Sequence, residues 1–358
     1  FLKKTPTDYA LAVLRTGAAQ ILFLETPAYA AVNGSVALLR RSKKTAHMAG
    51  MANAVLRRVG EQGADLLAKT TTLDNIPDWL LTSWQASYGD DATQALADMF
   101  IQEPPLDITL KPKIENPFLN WIPNAKPDDA PETNAPLTDA SGTDTQDNAE
   151  PAKPQNLLGG TVRLEKAGDL RALPGYEAGD WWVQDVSAAL PVRVLEAVLA
   201  STGTDLDGKH VLDMCAAPGG KTLQLASAGA VVTALDKSPT RLGRVTENLE
   251  RTGLNAHIVA SDAAKWRGAD RPDGQKGGFD CVVLDAPCTA TGTFRRRPDV
   301  LQSKKPVDIE SLARVQERLL WSAARHVRPG GVLIYCTCSL QRREGEDQIT
   351  HFMTNRKD

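Results

Sequence analysis

The order of apolar and polar positions changes character twice along the chain. Over residues 8–22, 27–41 and 47–59, apolar side chains recur three or four apart on alanine-rich faces, a spacing that predicts amphipathic helices. Over residues 107–111 and 160–164 the pattern alternates instead, predicting two strands of a small sheet interrupted at a hairpin. Beyond Gly179 strands and helices take turns: residues 210–214, 230–236, 257–261, 279–284 and 331–335 read as buried strands, and 239–251 and 309–327 as helices. Each of those strands closes on or beside an acid or a cysteine. Such alternation specifies an α/β domain with a doubly wound, mostly parallel sheet that binds its ligand at the strands' carboxyl ends. Three parts follow: an all-helical domain over 1–104, a small α+β subdomain over 105–176, and the α/β domain over 177–358.

Within the small subdomain, residues 123–156 hold six prolines, one large apolar residue (Leu137), and seven acids against two bases. With so little to bury, this stretch does not offset its ordering entropy and reads as a disordered acidic insert. It carries −5 of a formal net charge of −3, so the rest of the 358 residues sums to +2. Residues 1–70, with ten bases and four acids, carry +6. The slightly acidic total argues against a nucleic-acid partner only until it is divided along the chain. Arg40, Arg41, Lys43 and Lys44, with Arg57 and Arg58, are the candidate phosphate contacts; in most proteins such a run is a solvated face.

No window approaches about 18 consecutive apolar residues, so no membrane span is expected. Five cysteines, none before Cys215, argue against a disulfide framework and for a reducing compartment, the cytoplasm by default. The chain begins without methionine and stops in a helical pattern, which reads as a fragment.

The chemistry gathers at the strand ends. After the strand at 210–214 comes Cys215-Ala216-Ala217-Pro218-Gly219-Gly220-Lys221-Thr222, a glycine-containing turn opening a helix, where backbone N–H groups can face an anionic or polar ligand. Its glycine spacing fits neither a Walker loop nor the dinucleotide fingerprint, which disfavours nucleoside triphosphate and nicotinamide ligands. Asp236, closing the next strand, can accept both hydroxyls of a ribose, or merely help to cap the helix after Lys237-Ser238-Pro239. Asp262, after the third, can accept from an adenine amino group. Lys221 is a cation at the positive end of a helix, an unfavourable place that suggests a functional reason.

Two further strands end in Asp285-Ala286-Pro287-Cys288 and Thr337-Cys338-Ser339. C5 of cytosine is a poor nucleophile; methylating it calls for a thiolate to add at C6, giving an enamine that attacks an electrophilic methyl group. The C5 proton must then leave and the thiol be expelled. An acid beside the ring supports the addition by hydrogen bonding the N3–N4 edge, and a second cysteine assists elimination.

These residues, with Tyr335-Cys336-Thr337-Cys338-Ser339 and the turn at 215–222, resemble the RNA cytosine-5 methyltransferases that use S-adenosylmethionine. The resemblance implies a Rossmann-like methyltransferase domain in which Cys338 is the nucleophile, Cys288 promotes product release and Asp285 positions the base, with Lys221 in the same catalytic group. It assigns cofactor contacts to Cys215, Ala216, Ala217, Pro218, Gly219, Gly220, Lys221, Asp236, Asp262 and Asp285. DNA cytosine methyltransferases use the Pro-Cys thiol as nucleophile and lack a cysteine like Cys338, so the pair favours RNA. Gly292-Thr293 and Arg296-Arg297-Pro298-Asp299 would line the substrate cleft, with Arg296 and Arg297 touching RNA.

The likeness extends outward. Gly179-Asp180-Trp181-Trp182-Val183-Gln184-Asp185 with Ser187-Ala188-Ala189 is similar to the family's entry into the catalytic domain. Val32-Asn33 and Asn53-Ala54-Val55-Leu56-Arg57-Arg58 resemble a NusB-type RNA-binding domain. The whole chain except 123–156 is thus similar to the NusB-containing branch that methylates small-subunit (16S) ribosomal RNA, and a monomer is expected. Two departures stand out: Cys336 is a third cysteine near the site, and the chain ends near Asn355, before the final hairpin such domains carry.

Plainer readings apply to several of these residues. Cys281 is a small core hydrophobe, and Cys336 can be another. A zinc site from Cys215, Cys288, Cys336 and Cys338 would lack any Cys-x-x-Cys knuckle, and the five histidines show no ligand spacing, so no metal is expected. Arg295-Arg296-Arg297 can be an exposed loop. A transfer-RNA cytosine-5 methyltransferase would use the same chemistry, and a non-catalytic RNA-binding or antitermination factor would use none.

Overall fold

A computed structural model describes residues 1–24, 26–119, 153–165, 167–268 and 277–356, so most of the acidic segment at 123–156 lies outside the described residues. The chain divides into two compact units, Phe1–Asn75 and Ile76–Asp358.

The first unit holds three long helices, α1 (Asp8–Phe23), α2 (Ala28–Arg40) and α3 (Ala49–Leu67), at the places the periodicity marks. They close on Ala10, Val13, Leu14, Val32, Leu39, Ala52 and Leu56. Gly17 costs α1 about 1 kcal/mol of helix propensity against alanine. In return it permits close packing, because a Cβ there would lie 2.6 Å from Ser35 Oγ and 2.8 Å from Leu56 Cδ1. α3 runs past residue 59 to Leu67: Gly60 and Gly63 look like a helix end in sequence, but a Cβ at Gly63 would sit 2.6 Å from Leu22 Cδ2, so that glycine too is a packing residue.

The second unit starts with α4 (Asp78–Tyr88) and α5 (Asp90–Phe100). The contacts therefore draw a boundary at Asn75, earlier than the expected residue 104. Buried Trp84 packs its ring 5.6 Å from Phe294, and Phe100 stacks on the same ring at 6.2 Å. The Ser83 hydroxyl donates to Gln341 Oε1 at 2.7 Å and the Tyr88 hydroxyl to Leu340 O at 2.6 Å. Amphipathic spacing identifies a helix without saying which neighbour covers its apolar face, which is why this division is not in the pattern.

Next comes an antiparallel sheet of β1 (Leu106–Leu110), β2 (Gln155–Asn156), β3 (Thr161–Leu164) and β4 (Trp181–Val183), in the order β2-β3-β1-β4. β1 and β3 are the two expected strands, paired Leu106 with Leu164. β2, inside the stretch read as disordered, pairs with β3, and β4 extends the sheet past residue 176 by pairing with β1. The alternation along β4 sends Trp181 into the core of the small sheet with Ile108, Phe118 and Leu164. Trp182 goes the other way, against Ala217, Leu223, Leu242 and Val245 of the α/β layer.

That layer comprises α6 (Val186–Ser201), β5 (His210–Met214), α7 (Gly220–Ser227), β6 (Val231–Asp236), α8 (Pro239–Thr252), β7 (His257–Ala260), β8 (Phe279–Asp285), α9 (Asp299–Ser303), α10 (Pro306–His326), β9 (Val327–Cys336) and α11 (Glu346–Asn355). Its five strands are parallel and ordered β7-β6-β5-β8-β9. Leu212, Val282, Val283 and Leu284 are fully buried, as strands covered on both faces require. β9 begins before residue 331 because a register shift opposite Phe279 and Cys281 absorbs Pro329-Gly330-Gly331. The chain leaves β5 toward β6 on one side and reaches β8 on the other, so a crevice opens at the carboxyl ends of β5 and β8. Among the described residues no helix is long and apolar enough to cross a membrane.

Candidate active site

At the end of β5 the chain turns sharply. Cys215 adopts a left-handed conformation (φ 63°), and its N–H and that of Ala216 donate to Leu235 O at 2.8 and 3.1 Å. The Ala217 N–H donates to Asp236 Oδ2 at 3.3 Å, and Gly219 (φ 110°) caps α7 in a conformation that disfavours a side chain. Asp236 is 3% exposed; its Oδ1 accepts from the Ser238 N–H at 2.9 Å, while the Arg241 guanidinium lies 3.5 Å from Oδ2 and donates to Ala217 O. Asp236 thus shapes the entrance to α8 while facing the crevice. Asp262, exposed after β7, accepts from the Ala264 N–H at 3.0 Å.

Cys215, Asp236, Ser238, Arg241, Asp262 and Pro287 are among the residues lining a cavity of about 1120 Å³. Its acceptors suit a ligand with ribose hydroxyls and an exocyclic amine, and its carboxylates suit a sulfonium cation; S-adenosylmethionine fits this donor and acceptor set. Beneath the loop, Asp213 is fully buried: the Thr222 hydroxyl donates to Oδ2 at 2.6 Å and Oδ1 has no partner among the described residues. Burial pushes this carboxyl up to about 7, the Thr222 hydrogen bond opposing.

Lys221 reaches under the crevice to the end of β8, where its Nζ donates to Asp285 Oδ2 at 2.8 Å. Burial alone would lower this ammonium; the Asp285 carboxylate outweighs it and holds the group above its ordinary value, so the lysine stays charged. The carboxylate accounts for a cation at the start of a helix.

Cys288 and Cys338, after β8 and β9, stand with their sulfurs 3.4 Å apart. Burial pushes Cys215 up to about 12 and Cys281 up to about 11, and burial with the Asp285 carboxylate drives Cys336 higher still. Cys288 is also raised, first by its hydrogen bond to Cys338 and then by burial. Cys338 alone of the five is lowered: the Cys288 S–H donates to its sulfur, and its own backbone N–H and the Lys221 charge assist against burial and Asp285. The contact between the sulfurs thus acts oppositely on the pair, raising Cys288 and lowering the more exposed Cys338.

Gly292, expected in the substrate cleft, braces the loop of Cys338: its N–H donates to Cys338 O at 2.9 Å, and a Cβ would lie 2.9 Å from that oxygen. Residues absent from the sequence-based candidates also converge here. Glu344, Thr289, Thr291 and Gln316 are fully buried around the two cysteine loops, and no contiguous motif marks them. Arg241 was likewise without a signal, being one arginine among several on α8.

Arg40, Arg41, Lys43, Lys44, Arg57 and Arg58 are all solvent-exposed, with no ion pair among the described residues. The arginine triplet divides: Arg295 donates to Glu103 O at 2.9 Å, Arg296 pairs with Asp185 at 3.1 Å and Arg297 with Asp299 at 3.6 Å. Among the described residues no cluster of three or more histidine, cysteine or acidic side chains is placed to hold a metal ion.

Comparison with known proteins agrees with this geometry. A family model described as 16S rRNA methyltransferase RsmB/F matches residues 202–358, and one for the NusB family matches residues 3–61. Ribosomal RNA small subunit methyltransferase B of Xanthomonas campestris is 36% identical over 99% of this chain and 73% of its own length. The Escherichia coli O157:H7 protein of the same name is 32% identical over 97% of this chain and 74% of its own. Among solved structures, PH0851 superposes with a TM-score of 0.72 over 98% of this chain and 74% of its own, at 22% identity. NSun6 from Pyrococcus horikoshii, solved with SFG, gives 0.55 over 79% of this chain and 88% of its own, at 24%. Those two likenesses speak for the fold, whereas the sequence identities decide the family. The chain belongs to the ribosomal RNA small subunit methyltransferase B family and is an S-adenosylmethionine-dependent methyltransferase.

Proposed function

We propose that the chain methylates C5 of one cytosine in 16S ribosomal RNA through a covalent bond between Cys338 Sγ and C6 of the base. The observation that carries this reading is the sulfur pair, 3.4 Å apart, in which only Cys338 is held below the ordinary thiol range. When bound, S-adenosylmethionine supplies an electrophilic methyl group. The Cys338 thiolate adds to C6, and the electron pair displaced toward C5 takes the methyl group. Asp285, fixed by Lys221, accepts from the N4 amino edge and orients the ring. Once Cys338 is bonded to carbon its charge is gone, and with it the main reason that Cys288 keeps its proton. Cys288 then gives its proton to solvent and, as the thiolate, takes up the C5 proton; the pair left behind restores C5=C6 and expels the Cys338 thiolate.

The target base has to be unstacked to reach Cys338, which stands in the open crevice. Arg40, Arg41, Lys43, Lys44, Arg57 and Arg58 are proposed phosphate contacts, supported by their exposure and by the lack of acidic partners among the described residues. Arg296 and Arg297 can exchange weak exposed ion pairs for phosphate. Five unpaired thiols suit the reducing cytoplasm.

The test is a pair of variants assayed with tritiated cofactor and 16S RNA. Cys338→Ala is expected to abolish transfer while binding the cofactor normally by calorimetry. Cys288→Ala is expected to accumulate a protein–RNA adduct that survives denaturation. An adduct formed by Cys338→Ala, and none by Cys288→Ala, would reverse the roles.

A further inference from the structure

Behind the two sulfurs lies a carboxylate that has no part in binding cofactor or cytosine. Glu344 is fully buried, with no ion pair among the described residues. A carboxylate so placed persists only if hydrogen-bond donors replace its lost hydration. It has four, from three separate segments. Oε1 accepts from the Thr289 N–H and from Gln316 Nε2, each at 2.9 Å; Oε2 accepts from the Ser339 hydroxyl at 2.6 Å and from the Thr289 hydroxyl. Thr289 follows Cys288 in the chain and Ser339 follows Cys338. Gln316, on α10, also donates to Pro287 O at 3.0 Å, bracing the residue on the other side of Cys288.

We propose that Glu344 is a positioning residue: its carboxylate bonds the loop of Cys288 to the loop of Cys338 and thereby fixes the separation of the two sulfurs. This rests on the reading of Cys338 as nucleophile and Cys288 as its proton partner. The negative charge has a second consequence. The charged and titratable groups facing the sulfur pair are Asp285, Lys221, Tyr335, Cys336 and Glu344. Lys221 favours ionisation of Cys338, whereas the Glu344 charge adds to the effects that keep Cys288 protonated. Geometry and charge thus give the two thiols different roles.

The experiment compares Glu344→Gln with wild type in methyl transfer to 16S RNA, cofactor binding, thermal unfolding, and iodoacetamide labelling of each cysteine against pH. Glutamine keeps the shape but places an amide where one oxygen accepted two donors. Misplacing the sulfurs is expected to lower kcat about a hundredfold, with cofactor Kd within about twofold. The labelling midpoint of Cys338 rises and its preference over Cys288 shrinks. Ser339→Ala removes one donor from outside the acid and is expected to act in the same direction, more weakly and non-additively with Glu344→Gln. If Glu344→Gln does not fold, Ser339→Ala decides alone. Normal kcat with normal labelling overturns the proposal; so does a lower melting temperature with both labelling curves unmoved, the outcome of a merely structural role. Cys338→Ala, run alongside, separates the two readings. Activity in that variant would defeat the assigned nucleophile, whereas an inactive Cys338→Ala beside a fully active Glu344→Gln would defeat this inference alone.

Discussion

The two sides of the crevice are built on opposite plans. On the side of β5, β6 and β7 the site is mostly backbone: the N–H groups of Cys215, Ala216 and Ala217 are pinned to Leu235 O and Asp236, and single acids close the strands. On the side of β8 and β9 it is made of side chains from three segments distant in sequence, with Thr289, Gln316 and the neighbouring Ser339 and Glu344 meeting under the cysteines. A backbone cradle tolerates many substitutions and responds chiefly in ligand affinity. A convergent side-chain cluster concentrates its consequences in a few residues and responds in rate.

Lys221 tests that division most severely, because it belongs to the cofactor side in sequence and to the cysteine side through its Nζ, 2.8 Å from Asp285. Lys221→Met is expected to lower kcat about a hundredfold, the scale of losing one preorganised charge at a reacting centre. Labelling of Cys338 should move to higher pH, since the lysine charge helps hold that thiol down. The fold should survive, because the Asp285 carboxyl is 38% exposed and can be hydrated. Single-turnover rates and cofactor binding measured together check this. A variant with normal kcat and weak cofactor binding would move Lys221 to the other side of the comparison.

Arg241 is the converse case. Its guanidinium holds both Ala217 O and Asp236 at the cofactor loop and is remote in function from the sulfurs. Arg241→Ala is expected to raise the Kd for S-adenosylmethionine about tenfold, a loss of about 1.4 kcal/mol, with single-turnover rate at saturating cofactor unchanged. A fall in that rate would show that the two sides are coupled through the loop.

The same contrast explains how much was legible beforehand. The backbone side announces itself: residues 215–222 are contiguous, the strands are unbroken apolar runs, and the acids fall where the runs stop, so β5 matches its expected span and β6, β7 and β8 agree to within a residue. Cys288 and Cys338 were readable for the same reason, each within a short motif at a strand end. Glu344 was not: an acid six positions after Cys338 carries no mark of burial, and its partners lie at residues 289, 316 and 339. The grouping of α4 and α5 with the second unit was equally illegible, since apolar spacing shows that a face is covered and leaves its cover unnamed. β4 was passed over because the paired tryptophans face different cores, a pattern that reads as an uninterrupted apolar run.

A last expected effect, on stability instead of catalysis, concerns the two buried acids beneath the two sides. Glu344 has four donors, whereas Asp213, under the cofactor loop, has the Thr222 hydroxyl and an oxygen with no partner among the described residues. Burial with so little compensation raises the Asp213 carboxyl from 3.8 to about 7. A group whose folded pKa lies above its unfolded value binds more protons in the native state between the two, so stability falls as pH rises through that window. The contribution is complete below about pH 4 and gone once pH passes about 7. Thermal unfolding from pH 5 to 8 should therefore show a melting temperature that declines toward neutral pH in the wild type and declines less in Asp213→Asn, whose amide carries no titrating proton. Parallel slopes in the two proteins would mean that Asp213 is ionised throughout. The cofactor side would then owe its order to a buried charge, as the cysteine side does, and the contrast between backbone and side-chain construction would stop at the loop.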